Sequence, residues 1–303
     1  MKKIVKIFFG ISALFFSLSF VSNANALDIV FAEDRPDLRT LDPRITQSRH
    51  EEMLIVNMFD QLIAADSQGN HYPGLAKSWN VSSDGLEYTF SLRNDVTFHD
   101  GTKFNAAAVK ATFDSIVDPE TGSQGAVDIL GPYKETVVVD DYTAKVVFER
   151  RYGSALTAFT ETELSIVSPT ALSSLGNDGF GMAPVGTGPF MFKNWEANKK
   201  VELVRNPDYN WAPEYMDGSG PSQVANLTYR LIKDTSTRVA ALEAGEIDIA
   251  ELVPPLDMNR FDSSGDLATV AGTVSGLPYA AFLNTTVGVF QDINVRKAFF
   301  HSL

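Results

Sequence analysis

The stretch YPGLAKSWNVSSDGLEYTFSLRNDVTFHDGTKFNAAA, residues 72–108, carries the clearest structural pattern in the chain. Apolar and polar side chains alternate over residues 86–93, which predicts a half-buried β-strand. The pair Asp84-Gly85 predicts a turn before that strand. Val96 and Phe98 continue the alternation beyond it. The stretch therefore predicts short antiparallel strands joined by tight turns.

The end of the same stretch predicts the start of a helix. Asn105 stands where a helix N-cap belongs, because its side chain can accept a hydrogen bond from a free backbone amide. Val109, Phe113, Ile116 and Val117 follow at helical spacing. The stretch as a whole predicts a β-meander that leads into a helix.

The composition is that of a soluble globular protein with more than one domain. The chain has 303 residues, of which 44% are hydrophobic and 21% charged. That length is enough for two domains and a substantial core. The formal net charge of −13 argues against nucleic acid and anionic membrane surfaces as partners.

The N-terminus predicts export. Lys2, Lys3 and Lys6 precede an apolar run over residues 7–21, and an A-x-A site ends at Ala26. This pattern predicts a secretory signal peptide cleaved after Ala26. The alternative, a transmembrane anchor, needs a longer apolar run. The chain has no cysteine, so a lipid anchor on a cysteine is excluded and no disulfide is expected. We therefore expect a free, soluble protein in a Gram-negative periplasm.

Helical and hairpin patterns follow in the first two thirds of the chain. We expect a strand over residues 27–32, a helix over 51–62, and a loop over 118–131. The pattern over 136–148 predicts a hairpin, and Ser168-Pro169 predicts a stop. Residues 176–188 are rich in glycine and predict a loop that crosses between domains.

The last third predicts alternating strands and helices. The predicted elements are strands at 190–192, 200–204, 227–232 and 247–250, with a helix capped by Thr235 or Ser236 before the last of them. Such a βαβ-like unit predicts an α/β lobe in which the β-rich block is inserted. A strand at 280–283 and a helix from Asp292 or Asn294 are expected at the end. Because Leu303 falls inside that helix with no stop signal, we expect a truncated chain.

No catalytic, metal-binding or cofactor-binding motif is found in the sequence. The four histidines are not paired at helical spacing, and a zinc site needs such local ligands or cysteines. No G-x-S-x-G pattern is present. Gly186-Thr187-Gly188-Pro189-Phe190 leads into a strand pattern, whereas a phosphate loop needs a helix N-terminus. We therefore predict a protein that is not an enzyme and has no catalytic residue, metal or cofactor.

A set of short motifs resembles one family of transport proteins. The chain is similar to the solute-binding proteins of ABC importers for oligopeptides, dipeptides and nickel, known as family 5. The matches, in the family's order, are TLDP at 40–43, PGLAKSW at 73–79, SDGLEYTFSLR at 83–93, VTFHDG at 96–101, GTGPF at 186–190, RNPDY at 205–209, ALEAGEID at 241–248, and NT at 284–285 with VRKA at 295–298. Eight motifs in order cover nearly the whole chain after the signal peptide.

The resemblance implies a mixed α/β fold like that of type II periplasmic binding proteins. Two lobes joined by a hinge would close on a solute and deliver it to an ABC permease at the inner membrane. It implies lobe I over residues 27–70 and 186–270, an inserted β-rich domain over 71–185, and the start of lobe II over 271–303. The second lobe would be largely missing. The implied ligand is a small peptide bound as an added strand, and the implied oligomeric state is a monomer.

The resemblance also implies where the solute would lie. By position after the TLDP motif, Thr46, Gln47, Ser48 and Arg49 would line the cleft, and by position after GEID so would Glu251. Four residues before the predicted strand at 280–283 would line it too: Ser275, Gly276, Leu277 and Tyr279. Each of these positions is equally compatible with an ordinary loop or strand-end residue.

The chain departs from the family in length, which leaves the substrate open. Family members continue into a second large lobe that carries much of the charged binding surface. The alternatives are the same fold binding nickel, haem, opines or oligosaccharides, a sensor or enzyme built on it, or a non-functional fragment. A chain that lacks a lobe is expected to expose apolar surface or to be poorly stable.

Overall fold

The computed structural model describes residues 27–34, 38–216, 218–265, 267–270 and 282–302. The predicted signal peptide, residues 1–26, lies outside the described residues. The chain divides into two compact units, one up to Val253 and the other from Pro254 onward. The predicted lobe and insert boundaries stay predictions.

The first unit contains two sheets of four or more strands, a short hairpin, and helices packed on them. Its strands are β1 Leu27–Glu33, β2 Ile63–Ala65, β3 His71–Pro73, β4 Ala76–Val81, β5 Glu87–Leu92, β6 Tyr133–Asp140, β7 Thr143–Phe148, β8 Phe190–Glu196, β9 Lys200–Arg205, β10 Val224–Leu231 and β11 Ile249–Ala250. Its α-helices are α1 Arg49–Ile55, α2 Ala106–Val117, α3 Gly125–Leu130, α4 Ala155–Ala158, α5 Pro169–Met182 and α6 Thr235–Glu243.

A mixed five-stranded sheet organises the ends of this unit. Its strand order is β11-β1-β10-β9-β8. Strand β1 is parallel to both β10 and β11, whereas β9 pairs antiparallel with β10 and β8. The connection from β10 through α6 to β11 is the βαβ unit that the sequence predicts. Because the chain must cross between parallel strands, α6 can cover the sheet as it returns.

A four-stranded antiparallel sheet forms the second core. Its order is β4-β5-β7-β6, and the alternation predicted over 86–93 is confirmed. Tyr88, Phe90 and Leu92 of β5 point into the core, where the ring centroids of Phe90 and Phe159 lie 5.0 Å apart. Fully burying one such side chain contributes roughly 1.5–3 kcal/mol. This apolar face, covered by α2, holds the β-rich block together.

Helix α2 begins as the sequence predicts. Asn105 is the N-cap, and its Oδ1 accepts a hydrogen bond from the amide of Ala108 at 3.1 Å. Val109, Phe113 and Ile116 are buried, as their spacing indicates, but Val117 is exposed.

Several predicted loops and stops are wrong. The predicted loop over 118–131 contains a short 3₁₀-helix and α3. The pair Ser168-Pro169 starts α5 instead of ending a strand, because Ser168 Oγ accepts the amide of Ala171 and proline fits the first helical turn. Helix α5 continues to Met182 through Gly176, which takes a left-handed φ of 68° at a kink. Helix α1 ends at Ile55, earlier than the predicted 62.

The second unit contains two described α-helices, α7 Pro255–Ser264 and α8 Ile293–Phe300. Asp292 caps α8 by accepting the amide of Asn294 at 2.8 Å, as the sequence predicts. Only residues 282 and 283 of the strand predicted at 280–283 are described, and they are not in a strand. Among the described residues, no helix is long and apolar enough to span a bilayer.

Candidate functional site

Three parallel strands of the five-stranded sheet end along one edge. Glu33 ends β1, Leu231 ends β10 and Ala250 ends β11. Strand β1 lies between the other two, and the α6 connection crosses it. In open α/β sheets, ligands bind in the crevice outside the carboxyl ends of the strands, where connections diverge. This carboxyl edge is therefore the candidate site.

A buried arginine fixes the loops at the carboxyl edge. Arg238 of α6 has only 1% of its surface exposed. Its Nη1 donates to the carbonyl of Ile232 at 2.7 Å, and its Nε donates to the carbonyl of Glu251 at 2.9 Å. Its Nη2 donates to the carbonyl of Leu252 at 3.3 Å. Because the guanidinium carries five donors in a rigid fork, one side chain holds the segments after both β10 and β11.

The edge also carries a buried acid and an unusual backbone conformation. The carboxylate of Glu33 is fully buried, and the backbone carbonyl of the same residue accepts the amide of Ile232 at 2.9 Å. Leu252 takes a φ of +53°, which is uncommon for a residue other than glycine, and its side chain is exposed. Strained backbone of this kind concentrates at functional sites and indicates a loop held in place by its surroundings.

The turn before α1 uses Thr46 and Ser48 for its own structure. Thr46 is buried, and its hydroxyl donates to Glu51 Oε2 at 2.8 Å. Glu51 Oε1 accepts the backbone amide of Arg39 at 2.7 Å. Ser48 is the N-cap of α1, and its Oγ accepts the amide of His50 at 3.4 Å. The hydroxyl of Thr46 is therefore held in the protein interior, and the expectation that Thr46 and Ser48 line the cleft stays a prediction.

Gln47 and Arg49 are the accessible members of this turn. Gln47 Nε2 donates to Gln124 Oε1 at 2.8 Å, and both Gln47 and Arg49 are exposed. Burial raises the pKa of the neighbouring Glu52, and the charge of Glu163 raises it further, whereas Arg49 lowers it. Arg49 is thus an exposed cation beside the acidic side chains of Glu51, Glu52 and Glu163.

Tyr229 of β10 connects α1 to the sheet. Its hydroxyl donates to the carbonyl of Met53 at 3.4 Å and accepts from Asn57 Nδ2 at 3.1 Å. Its ring lies 5.3 Å from that of Phe31 in β1. Burial raises the pKa of Tyr229 to about 12, and the carboxylate of Glu33 adds to that rise. Strands β1 and β10 and helix α1 are therefore joined near the candidate site.

The other expected binding residues are placed as follows. Glu251 directly follows β11, and its amide donates to the carbonyl of Ala32 at 3.0 Å. It therefore lies at the carboxyl edge beside the end of β1. Ser275, Gly276, Leu277 and Tyr279 lie outside the described residues. In the part of the chain that is described, no three His, Cys, Asp or Glu side chains could together hold a metal ion.

Sequence reasoning missed Glu33 and Arg238. A signal for Arg238 is present, since it falls on the buried side of α6 with Val239 and Ala241, where a charge is unexpected unless it is paired. A signal for Glu33 is its position directly after the first strand. Neither signal identifies the carbonyls that Arg238 holds, because those depend on the strand order.

Comparison with known proteins gives one consistent family. A family model described as "Bacterial extracellular solute-binding proteins, family 5 Middle" matches residues 70–303. The glutathione-binding protein GsiB of Escherichia coli (strain K12) is 28% identical over 273 residues, which covers 90% of this chain and 51% of that protein. The chain spans about half the length of the curated relatives it matches.

Solved structures show the same fold. The binding protein MoaA of A. tumefaciens R10, in complex with mannopinic acid, superposes with a TM-score of 0.77 at 24% identity over 92% of this chain and 55% of that one. The periplasmic binding protein DppA of Helicobacter pylori, in complex with the peptide STSA, gives a TM-score of 0.67 at 28% identity over 79% of this chain and 48% of that one.

Proposed function

Because this chain belongs to the bacterial extracellular solute-binding proteins of family 5, we propose that it captures a short peptide for an ABC importer. The observation that carries the proposal is the carboxyl edge, where Arg238 holds the segments after β10 and β11. GsiB, which binds glutathione, and DppA, which was solved with a peptide, support a peptide-like solute. Binding, not chemistry, is the proposed activity.

The exposed groups near α1 suit an extended peptide. A peptide presents alternating backbone donors and acceptors, which polar side chains such as Gln47 can meet. Arg49 offers a guanidinium that can bind a terminal carboxylate through two parallel hydrogen bonds. Glu251, at the end of β11, would approach the same ligand. Ser275, Gly276, Leu277 and Tyr279 stay proposed contacts by position alone.

The proposed organisation is two lobes with an insert. Lobe I would comprise residues 27–70 and 186–270, the β-rich insert residues 71–185, and the start of lobe II residues 271–303. The two apolar cores support a division into two bodies in outline, although Val167, Ala171 and Phe180 of the proposed insert belong to the core of lobe I. Because the chain spans about half the length of its relatives, the proposed cleft would include further residues of lobe II.

The proposed location is the periplasm, with an ABC permease of the inner membrane as partner and a monomer as the working form. The support is the signal-peptide pattern that ends at Ala26 and the family membership. N-terminal sequencing of the protein from a periplasmic extract is expected to begin at Leu27. A sequence that begins at Met1 would contradict export by cleavage.

A calorimetric titration tests the peptide proposal directly. The purified chain is titrated with glutathione, di- and tripeptides, and a longer peptide pool. We expect measurable binding of at least one peptide class. Arg49→Ala is expected to weaken it about tenfold, which corresponds to roughly 1.4 kcal/mol. The matched control is Arg150→Ala, which changes another exposed arginine, on the β-rich block, and should leave the affinity unchanged.

Two results would contradict the proposal. If no peptide binds while a nickel complex, haem, an opine or an oligosaccharide does, the solute class is wrong. If a peptide binds but Arg49→Ala and Glu251→Gln both leave its affinity unchanged, the site lies elsewhere on the chain.

A further inference from the structure

A cavity of about 820 Å³ lies at the other end of the strands from the candidate site, where β8 and β10 begin. It is lined by Asp60, which follows α1, by Phe190 at the start of β8, and by the segment that leads into β10. That segment contributes Trp211 and Tyr215. Neither Arg238 nor any other residue of the carboxyl edge lines the cavity. A volume of 300–1,000 Å³ with mainly apolar walls is typical of a small-molecule site.

The acidic group that lines this cavity is the carboxylate of Asp60. Its Oδ2 accepts hydrogen bonds from Thr187 Oγ1 at 2.8 Å and from Trp211 Nε1 at 3.0 Å. Its Oδ1 accepts the Tyr209 hydroxyl at 3.2 Å. A carboxylate can accept about four hydrogen bonds, so the carboxylate of this lining residue keeps capacity for a further donor.

The charge of Asp60 has no ion-pair partner in the described part of the chain. Arg93 is the basic residue whose field reaches it, but the guanidinium of Arg93 is bound to Asp95 at 2.7 and 3.0 Å. The donors to Asp60 are all neutral. A partly enclosed carboxylate with neutral partners attracts a cation, because a charge without a counter-charge is costly to keep away from water.

The walls around Asp60 are aromatic. Tyr209 and Trp211 pack with ring centroids 4.9 Å apart, and Tyr215 lies 5.0 Å from Tyr72. Tyr215 is 42% exposed, so it has a free surface at the cavity. Aromatic faces attract organic cations through the ring quadrupole while they also bury apolar groups.

The electrostatics of Asp60 agree with this arrangement. Burial raises the pKa of Asp60, whereas the hydrogen bonds from Trp211, Thr187 and Tyr209 and the charge of Arg93 lower it. Burial raises the pKa of Tyr209 and of Tyr215, and the negative charge of Asp60 adds to both rises. A bound cation would favour the ionised carboxylate, because an opposite charge at short range stabilises it.

We propose that this cavity binds a small organic ammonium compound, with the ammonium group against Asp60 and the apolar body against Tyr215 and Trp211. This accessory site is separate from the proposed peptide site, since it lies at the other end of the sheet. The proposal does not depend on the identity of the transported solute.

Titration with three matched probes tests the proposal. Phenethylammonium, phenethyl alcohol and phenylacetate share one apolar body and differ in charge. At pH 7.5 we expect the ammonium probe to bind at least about tenfold more tightly than the alcohol, a difference of roughly 1.4 kcal/mol. We expect no measurable binding of the carboxylate probe. Equal affinities for the ammonium and the alcohol would overturn the proposal.

Two variants locate the binding. Asp60→Asn is expected to abolish the preference for the ammonium probe, and a retained tenfold preference would overturn the proposal. Because Asp60 also organises Thr187, Tyr209 and Trp211, this variant needs a thermal melt to confirm folding. Tyr215→Ala, at an exposed position, should fold normally and should lower the affinity for the ammonium probe several-fold. If Tyr215→Ala binds like the unmodified chain, the cavity is not the site.

A competition experiment separates this site from the peptide site. A saturating concentration of peptide should leave the affinity for phenethylammonium unchanged. The control Arg150→Ala should change neither the affinity for the peptide nor that for phenethylammonium. Displacement of the ammonium probe by the peptide would place both ligands at one site and overturn the proposal. Failure of peptide binding alone bears only on the proposed transport function.

Discussion

His99 connects the two cores through both of its ring nitrogens. Its Nε2 donates to the carbonyl of Gly188 at 2.9 Å, and its Nδ1 accepts the amide of Gly186 at 3.4 Å. These partners require the neutral tautomer with its proton on Nε2. A second proton on Nδ1 would face the amide of Gly186. Burial lowers the pKa of His99 to about 4, against smaller opposite effects of Gly188 and Asp100.

This pKa predicts a loss of stability in mild acid. An unfolded histidine titrates near 6.5, so between pH 6.5 and about 4 the unfolded chain binds the proton and the folded chain does not. The contribution of neutral His99 to the free energy of unfolding is complete above pH 6.5 and is lost as the pH falls toward 4. The full effect is on the order of 3 kcal/mol. Urea unfolding at pH 7.5, 5.5 and 4.5 measures it.

The matched pair for this experiment is His99→Gln and His71→Gln. The His99→Gln variant should be less stable at pH 7.5 and should lose less stability on acidification. The His71→Gln variant changes a partly buried histidine that is not part of the contact between His99 and the segment 186–188. It should keep the pH dependence of the unmodified chain. Identical pH profiles for all three proteins would rule out His99 as the cause.

The buried pair of Asp42 and Arg44 gives a second prediction at the residue scale. Arg44 Nη2 donates to Asp42 Oδ2 at 2.6 Å, with both side chains fully buried. Arg44 Nη1 also donates to Ser115 Oγ at 3.1 Å. Arg44→Met leaves a buried carboxylate without its partner and should cost about 3–5 kcal/mol of unfolding free energy. Chemical denaturation measures the loss.

The control for Arg44→Met is an exposed ion pair. Lys110 Nζ lies 2.7 Å from Asp114 Oδ2 on the surface of α2. Lys110→Met should cost less than about 0.5 kcal/mol, because solvent already screens this pair. A loss below 1 kcal/mol for Arg44→Met would show that Asp42 finds other compensation.

The sequence identified these residues as part of family motifs but not what they do. Asp42 belongs to TLDP, and His99 belongs to the VTFHDG motif. In the structure both hold the fold together. Asp42 pairs with Arg44 only two residues along the chain, but the other partners are distant, such as Gly188 for His99 and Ser115 for Arg44, and no local pattern predicts those contacts. Thr46 likewise has an internal partner, because its hydroxyl donates to Glu51 Oε2.

At the scale of elements, the glycines of the GTGPF segment allow a close contact with the end of α1. The amide of Gly188 donates to the carbonyl of Met58 at 2.9 Å, and the amide of Phe190 donates to the carbonyl of Asn57 at 2.9 Å. A Cβ on Gly188 would lie 2.5 Å from the backbone carbon of Met58. Backbone cannot move aside as a flexible side chain can, so only glycine fits here.

Gly188→Ala is therefore expected to separate α1 from β8. We expect a loss on the order of 3 kcal/mol in unfolding free energy, the upper end for overpacking. Gly153→Ala is the matched control, because an added Cβ there meets no atom within 4 Å. Thermal unfolding should show a large fall in Tm for Gly188→Ala and almost none for the control. Equal Tm values would show that the contact can relax.

Strands with clean alternation were predictable, whereas helices containing glycine were not. The pattern of β5 and the N-cap of α2 need only local rules, and both predictions are confirmed. Helix α5 was missed because a serine followed by proline can end one element or begin another. The glycines of α5 suggested a loop. Gly181 instead allows the helix to pack closely against Thr40, because a Cβ there would lie 2.5 Å from Thr40 Oγ1. Such contacts between distant elements are invisible to a local pattern.

At the scale of the whole molecule, the two units differ in how much apolar surface they bury. The part up to Val253 contains two large apolar cores. After Pro254, Phe261 is the buried large apolar side chain among the described residues, while Phe282 and Phe300 are 88% and 73% exposed. The described residues of the second unit therefore have little apolar core of their own.

Limited proteolysis should reflect this difference. Chymotrypsin, which cuts after aromatic residues, is expected to cleave at Phe282 and Phe300 first. Phe113 and Phe159, inside the β-rich core, serve as internal controls and should be cut last. Mass spectrometry should find a persistent fragment that ends beyond Val253. Simultaneous loss of all fragments would contradict the difference in stability.

The central position of β1 has a consequence for the order in which the chain can fold. Strand β1 is the first described element to be synthesised, yet both its neighbours, β10 and β11, come after residue 223. Its backbone groups on both sides must wait until most of the chain has emerged. Pairing over such sequence distances is slow, and an unpaired strand invites association with other chains. The sheet can therefore close only as one of the last events of folding, which gives chaperones a long interval in which to act.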